Sequence, residues 1–461
     1  TLKVKTTKKP VISLSGKRIA VKKLSGKTYE ANFKASVGRH SIAITADGQR
    51  AERLFCAVKD FKEATVLMAD ALRTLQKNTA QAFPKVAGVI PNTYRLNDLE
   101  PYVREEGYIA CCYMPRTVMV MTAAGLLTGK IDYVNSACRA LDTYLSKGLN
   151  LKDGSISLPA AINPEGEVNP EWVEHPRPSD YAIMLRGYLY CEDAYRKFKK
   201  GQQAESCLKK ARLIGLSLEK MQGRNGSFSS RYNYVDPEFT KPGVAVNNVS
   251  WCLYQLYERL QSAGNSSAEK IKESCLKYIQ YELSRENPSL LRVPGPGAAE
   301  SIPLYHDDFI TLGCHLTAAH YSGMDKMDKK ESKRLSEEAV LCSVFAGCSF
   351  YIDQPEAFSF SASQAKLPIW LGGVPGPVGK GGMQDKSGNE LLLAHAKRYK
   401  STFARTLLKH RFLTRSAWSL EENGAMNGMD MNVPGYRYRN TLWTEELNYG
   451  GPGFAAHLFV R

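Results

Sequence analysis

Along the middle of this chain, helix openings recur at a slow and nearly constant spacing. That period limits what the sequence can fold into more than any single motif does. Turn-rich segments give way to apolar helical patterns near Thr117, Ser179, Val244 and Tyr305. The steps are 179 − 117 = 62, 244 − 179 = 65 and 305 − 244 = 61. A second helical stretch lies between each pair of openings, so each period holds one helix hairpin. A row of hairpins either stacks as an open solenoid or closes into a ring. The period exceeds the ~34–47 residues of the common helical solenoid repeats. The surplus lies in loops rich in Gly, Pro, Asn and aromatics, and long loops on a rigid scaffold are where function sits.

Apolar spacing predicts helices at 59–78, 117–128, 131–147, 179–200, 202–222, 244–263, 267–285, 305–322, 330–350 and 388–411. The members of each hairpin differ. The first helices, as at Ala182–Leu185 or Phe309–Leu316, are apolar nearly all round. The second are amphipathic: in 202–222, Leu208, Ala211, Ile214, Leu218 and Met221 share one face, opposite Lys209, Arg212, Glu219 and Lys220. Inner apolar helices alternating with outer amphipathic ones favour closure over an open stack. The expected fold class is mainly α, an (α/α) helix-hairpin toroid over 59–461 with a loop-rich tail, preceded by a small β-sandwich over 1–58.

The sandwich is read from short strands. Val11–Leu14, Lys17–Lys23, Thr28–Ala35, His40–Thr45 and Arg50–Val58 are separated by Ser15-Gly16, Ser25-Gly26 and Asp47-Gly48. The stretch Val37-Gly38-Arg39-His40-Ser41-Ile42-Ala43-Ile44-Thr45-Ala46-Asp47-Gly48 resembles the strand–turn–strand of bacterial Ig-like surface modules. Most of the net charge of +16 belongs here. Residues 1–40 hold nine Lys and two Arg against Glu30, so 11 − 1 = +10, which leaves +6 for the rest. This segment is either a solvated lysine fringe or a polyanion-contacting surface whose binding would weaken with salt. No helix-turn-helix, zinc-finger or RNP pattern occurs, so nucleic acid is not an expected partner.

No run of 18 or more apolar residues is present, so no transmembrane helix is expected. A chain that starts at Thr1 rather than Met leaves room for a removed signal peptide or an upstream domain. The 11 Cys lie mostly inside helical patterns and read as small buried hydrophobes. That usage leans toward a reducing compartment, whereas a carbohydrate substrate would place the protein in the periplasm or outside the cell. The sequence leaves the oligomeric state open.

Two loops, Lys152-Asp153-Gly154-Ser155-Ile156 and Arg224-Asn225-Gly226-Ser227-Phe228, each follow an outer helix. With the hairpin alternation, they make the chain resemble the (α/α) toroid superfamily of six-hairpin glycosidases and toroidal polysaccharide lyases over about residues 60–411. No catalytic motif of a specific family carries over. The resemblance implies a glycan-processing enzyme with a carbohydrate substrate.

In a closed toroid, the loops entering the inner helices gather at one mouth, where helix N-termini favour carboxylates and anionic groups. Four segments should meet there: 112–116, 174–181, 247–251 and 304–309. Glycoside hydrolysis needs two carboxyl groups, ~5–5.5 Å apart for retention or ~6.5–9.5 Å for inversion. Asp307 and Asp308, beside His306, are the expected centre, with Asp180 opposite. Substrate contacts are expected from His175, Arg177, Tyr181, Asn247, Asn248, Trp251, Tyr305, Arg116, Arg231 and Tyr232. The alternative is a lyase, with a His or Tyr base and Asn, His or Arg neutralising a uronate carboxylate. A third reading is a non-catalytic glycan- or protein-binding scaffold. No cofactor or metal is expected. Cys314, His315 and His320 point apart on one helix, and Gly372–Gly382 fails the P-loop pattern at Val374 and Gly381.

Overall fold

The computed structural model describes residues 2–36, 38–57, 61–91, 93–95, 98–101, 103, 107, 109–110, 117–159, 161–168, 178–228, 249–284, 330, 397, 400, 402 and 441–443. Helix α1 spans Phe61–Ala82 and is followed by a 3-10 turn at Pro84–Val86. Three hairpins come next: α2 (Thr117–Thr128) with α3 (Ile131–Leu145), α4 (Pro178–Lys197) with α5 (Gly201–Lys220), and α6 (Val249–Ser262) with α7 (Ala268–Ser284). The openings step by 178 − 117 = 61 and 249 − 178 = 71. The sixth helix is described from Val249, and the expected opening at Val244 lies outside the described residues. The helix expected at 305–322 lies outside the described residues. Of those expected at 330–350 and 388–411 only 330, 397, 400 and 402 are described, and Lys400 is a turn residue at φ +53°, so a single unbroken helix over 388–411 is not what forms.

The inner–outer division follows from which faces meet water. Thr117–Gly125 of α2, Tyr181–Glu192 of α4 and Val249–Tyr257 of α6 are buried all round. By contrast, α3, α5 and α7 bury one stripe each, such as Ala204, Cys207, Leu208, Ala211, Ile214 and Leu218. α2 packs on α4, and α4 on α6, to form the inner layer. Side-chain pairs fix the directions. Lys210 reaches Asp142 and Cys207 lies against Cys138, so α3 and α5 run parallel. The hydroxyl of Tyr195, near the end of α4, meets Asn135, near the start of α3, so these two run antiparallel. Arg259 joins Asp193 near the C-terminal ends of α6 and α4, so the inner helices share one direction.

Consecutive hairpins are tied by a repeated turn. In the first, Asp153 Oδ1 accepts from the backbone and hydroxyl of Ser155, while Leu151 N donates to Ser155 O. In the second, Asn225 Oδ1 accepts from the same two groups of Ser227, while Gly223 N donates to Ser227 O. Each turn docks on the next outer helix: Lys220 pairs with Asp153 at 3.1 Å, and Gln222 Nε2 donates to both Gly226 O and Ser274 O at 2.9 Å. Gly154 and Gly226 both have positive φ, +78° and +89°. Only the second is also confined, since a Cβ on Gly226 would lie 2.4 Å from the Lys277 carbonyl oxygen. We therefore expect Gly226→Ala to cost about 2 kcal/mol or more, and Gly154→Ala about 1 kcal/mol, in urea denaturation. Equal costs at the two positions would contradict the docking.

Preceding the helices are two antiparallel sheets. β1 (Leu2–Lys5), β5 (Thr28–Ala31) and β4 (Val21–Ser25) form one, in the order β1-β5-β4. β3 (Lys17–Ile19), β2 (Val11–Leu14), β6 (Gly38–Ala46) and β7 (Gln49–Ala57) form the other, in that order. The expected single strand Lys17–Lys23 is thus two strands that break at Ala20 and join different sheets. Leu2–Lys5 is a strand that the alternation did not mark. Ile12 and Ile42 of one sheet and Ala31 of the other form one small buried cluster, with Val4, Ile19 and Val21 packed against it. The β6–β7 hairpin turns at Asp47-Gly48, both at positive φ, in register Ala46↔Gln49. Asp47 also accepts from the hydroxyls and backbone of the Thr6–Lys8 segment, which holds its carboxyl far below the usual range.

A distant contact links the far end of the chain to the start of the helical region. β13 (Thr441–Trp443) pairs with β8 (Thr93–Arg95) in register Leu442↔Tyr94. This returns the chain to the segment between α1 and α2, as a ring requires.

Candidate active site

Because the inner helices share one direction, the starts of α2, α4 and α6 lie at one end of the layer. The segments feeding two of these starts are stitched together. β9 (Ile109–Ala110), ahead of α2, pairs with β12 (Ala161–Ile162), ahead of α4, in register Ala161↔Ala110 and Ile162↔Ile109. Behind them stands β11 (Ile156–Ser157), paired with β10 (Leu149–Asn150) across the Asp153 turn.

Asp180 sits in the first turn of α4 and is buried, 5 % exposed. A carboxylate there complements the positive end of the helix dipole. Pro178 at the first helical position presents its fixed φ where no intrahelical N–H is needed. Tyr181 is fully buried. Its hydroxyl donates to Ile156 O at 2.8 Å and accepts from Leu158 N at 3.0 Å, which clamps β11 onto α4. Trp251 lies in the first turn of α6, 6 % exposed, with its ring 5.4 Å from that of Tyr254 and tilted by 30°. Arg116, His175, Arg177, Arg231, Tyr232, Asn247, Asn248, Tyr305, His306, Asp307 and Asp308 lie outside the described residues.

At the opposite end of α4 stands a different carboxylate. Glu192 is 2 % exposed, and burial pushes its carboxyl up while Arg196 and Arg259 pull it back. Arg196 Nε donates to Glu192, as does Arg259 Nε at 3.2 Å, and Arg259 Nη2 donates to Asp193 at 2.8 Å. Two guanidinium groups saturate this acid, so it works as a clasp between α4 and α6.

Arg186 escaped the sequence reading. It is 2 % exposed, in the middle of an otherwise apolar inner helix, and its charge acts on the Cys252 thiol of α6 against the upward push of burial. A buried guanidinium is expensive unless paired. One Arg in the run Tyr181–Tyr195 was the available signal.

No family model matches the chain, and no curated protein matches it either. Solved structures do. A polysaccharide lyase superposes with a TM-score of 0.56 at 11% sequence identity, covering 99% of this chain and 61% of its own. The present chain therefore spans about three-fifths of that lyase. A family 76 glycoside hydrolase from a bovine Bacteroides thetaiotaomicron strain superposes with a TM-score of 0.52 at 8% identity, covering 94% of this chain and 86% of its own. Both are (α/α) toroids, and the fold of this chain is theirs.

Proposed function

We propose that this chain is a glycan-cleaving enzyme that hydrolyses an acidic poly- or oligosaccharide with paired carboxylates at the mouth of its toroid. The observation that carries this reading is Asp180. It is a buried acid at an inner-helix start, on the end where the entry loops are stitched together. In our reading Asp307 and Asp308, beside His306, supply the partner of Asp180 from a later hairpin. One carboxyl protonates the leaving oxygen, and the other acts as nucleophile or activates a water. Trp251 lines the entrance with His175, Arg177, Asn247, Asn248, Tyr305, Arg116, Arg231 and Tyr232, while Tyr181 keeps the entry strand seated. The glycan-processing activities of the two fold neighbours fit this reading.

The acidic substrate is supported by the N-terminal segment, which we treat as a small β-sandwich module over 1–58. The outward face of its three-stranded sheet carries Lys3, Lys5 and Lys22 around one acid, Glu30, with Lys3 and Lys22 both paired to Glu30 across the strands. Such a face attracts a polyanion and is screened by salt. The second reading, elimination by a lyase, draws on the same mouth. His306 or a Tyr would be the base, and Asn247 or Asn248 would neutralise a uronate.

Turnover on a panel of acidic and neutral polysaccharides at rising salt tests the proposal. We expect an acidic chain to be cleaved, with KM rising several-fold between about 50 and 200 mM salt. Salt-independent cleavage of neutral chains alone would remove the acidic substrate. Cleavage of nothing would leave the binding-scaffold reading in its place.

A further inference from the structure

Three cysteines far apart in sequence meet where α3, α4 and α5 pack. Cys138 on α3 is half-buried, whereas Cys191 on α4 and Cys207 on α5 are buried. The Cys138 and Cys207 sulfurs stand 3.8 Å apart across 69 residues of chain, and the Cys191 thiol is close enough to act on the charge of Cys138. Among the described residues no group of His, Cys, Asp and Glu is arranged to hold a metal ion, so a thiolate metal site does not explain the cluster.

We propose that Cys138 is a thiol-modification site for a low-molecular-weight disulfide, and that Cys207 resolves the adduct into a Cys138–Cys207 bond between the two outer helices. Cys138 is the one member of the cluster that is not fully buried. The polar groups around it favour a thiolate there and nowhere else in the cluster. The neighbouring Cys191 and Cys207 thiols and the charge of the nearby Lys210 ammonium pull its thiol below the ordinary range. Burial and the same shared charge push Cys191 and Cys207 up, so they remain thiols and donors. Asp142 Oδ2 accepts from Cys138 Sγ at 3.8 Å and opposes a negative charge there, while its Oδ1 is held by Lys210 at 2.6 Å and by the Tyr188 hydroxyl at 2.8 Å.

The chemistry balances without a further oxidant. The Cys138 thiolate attacks one sulfur of RSSR; the S–S bond breaks and RS⁻ leaves. Cys207 then gives its proton to solvent and attacks Cys138 Sγ, expelling a second RS⁻. The two protein thiols are oxidised, and one small disulfide is reduced to two thiols. Closure needs the sulfurs to move from 3.8 Å to bonding distance, ~2.05 Å. The two outer helices each pack on α4 rather than on each other, so closure also draws α3 and α5 together.

Oxidised glutathione on the intact chain is the test, read by peptide mapping without reduction. Trypsin releases Cys138 in 131–139, Cys207 in 201–209 and Cys191 in 187–196. We expect 131–139 linked to 201–209, and a raised Tm for the oxidised protein, since the bond closes a long loop. In Cys207→Ser the glutathione adduct should persist on 131–139, and in Cys191→Ser the linkage should still form. Iodoacetamide should label Cys138 in the native protein about tenfold faster than Cys207, with little change between roughly pH 6 and 8. Linkage of 131–139 to 187–196 would overturn the role of Cys207. Glutathione on other cysteines, with 131–139 unmodified, would overturn the site.

Discussion

Asp307→Asn, Asp308→Asn and Asp180→Asn are expected to divide the molecule's activity from its stability. A positioned general acid or base is worth about 10²–10⁴-fold, so the substitutions that hit the working pair should each lower turnover on that scale. An amide keeps the shape of the carboxyl but neither protonates a leaving oxygen nor activates a water. Asp180 also caps the positive end of α4, and its loss there costs only about 0.3–1 kcal/mol; the melting temperature should therefore fall by a few degrees at most. His306→Ala separates the two chemistries. Under hydrolysis it leaves a partial activity, whereas under elimination it abolishes turnover and the three Asn variants remain active. Full activity in all three Asn variants would remove the carboxylate pair from the mechanism.

The largest stability effect is expected from Arg259→Ala. It leaves Glu192, 2 % exposed, with Arg196 as its remaining guanidinium, and it removes the Arg259–Asp193 contact at 2.8 Å. Removing one member of a buried ion pair costs about 3–5 kcal/mol, because the charge left behind is desolvated and uncompensated. Arg259 is itself 21 % exposed on its side chain, so the lower end of that range applies. Arg259→Lys should recover little, since an ammonium cannot span Glu192 and Asp193 as the guanidinium fork does. The double variant Glu192→Gln, Arg259→Met should cost less than the sum of its singles, because the buried Glu192 charge is removed together with its partner. Urea denaturation of the four proteins measures this. An Arg259→Ala variant within 1 kcal/mol of the wild type, about the worth of a surface pair, would mean that the clasp contributes no more than that.

How far the sequence led can be traced residue by residue. The inner helices were legible because Tyr181–Leu185 and Val249–Leu253 are apolar on every side, and the outer ones because a stripe such as Leu208-Ala211-Ile214-Leu218 repeats at helical spacing. Both ends of α2 fall where the pattern placed them. The start of α6 ahead of Val249 falls on residues outside those described. The Lys17–Lys23 alternation could not show that the strand changes sheets at Ala20, since both halves present the same period of two. For the mouth, Asp180 and Trp251 stand at inner-helix starts, as read from the sequence, and Tyr181 stands there with its hydroxyl spent on the backbone. The Arg259 clasp and the thiol cluster were invisible for one reason. Each is assembled by packing across 60 or more residues, 66 between Asp193 and Arg259 and 69 between Cys138 and Cys207, and no local spacing records it.

Incubating the protein with acidic polysaccharides while following reducing ends and ultraviolet absorbance together would test the central claim most directly. Reducing ends that rise while absorbance stays flat are the predicted result, because hydrolysis adds water across the bond and leaves no unsaturated sugar. Absorbance rising in step with the reducing ends would contradict it and assign the toroid to β-elimination.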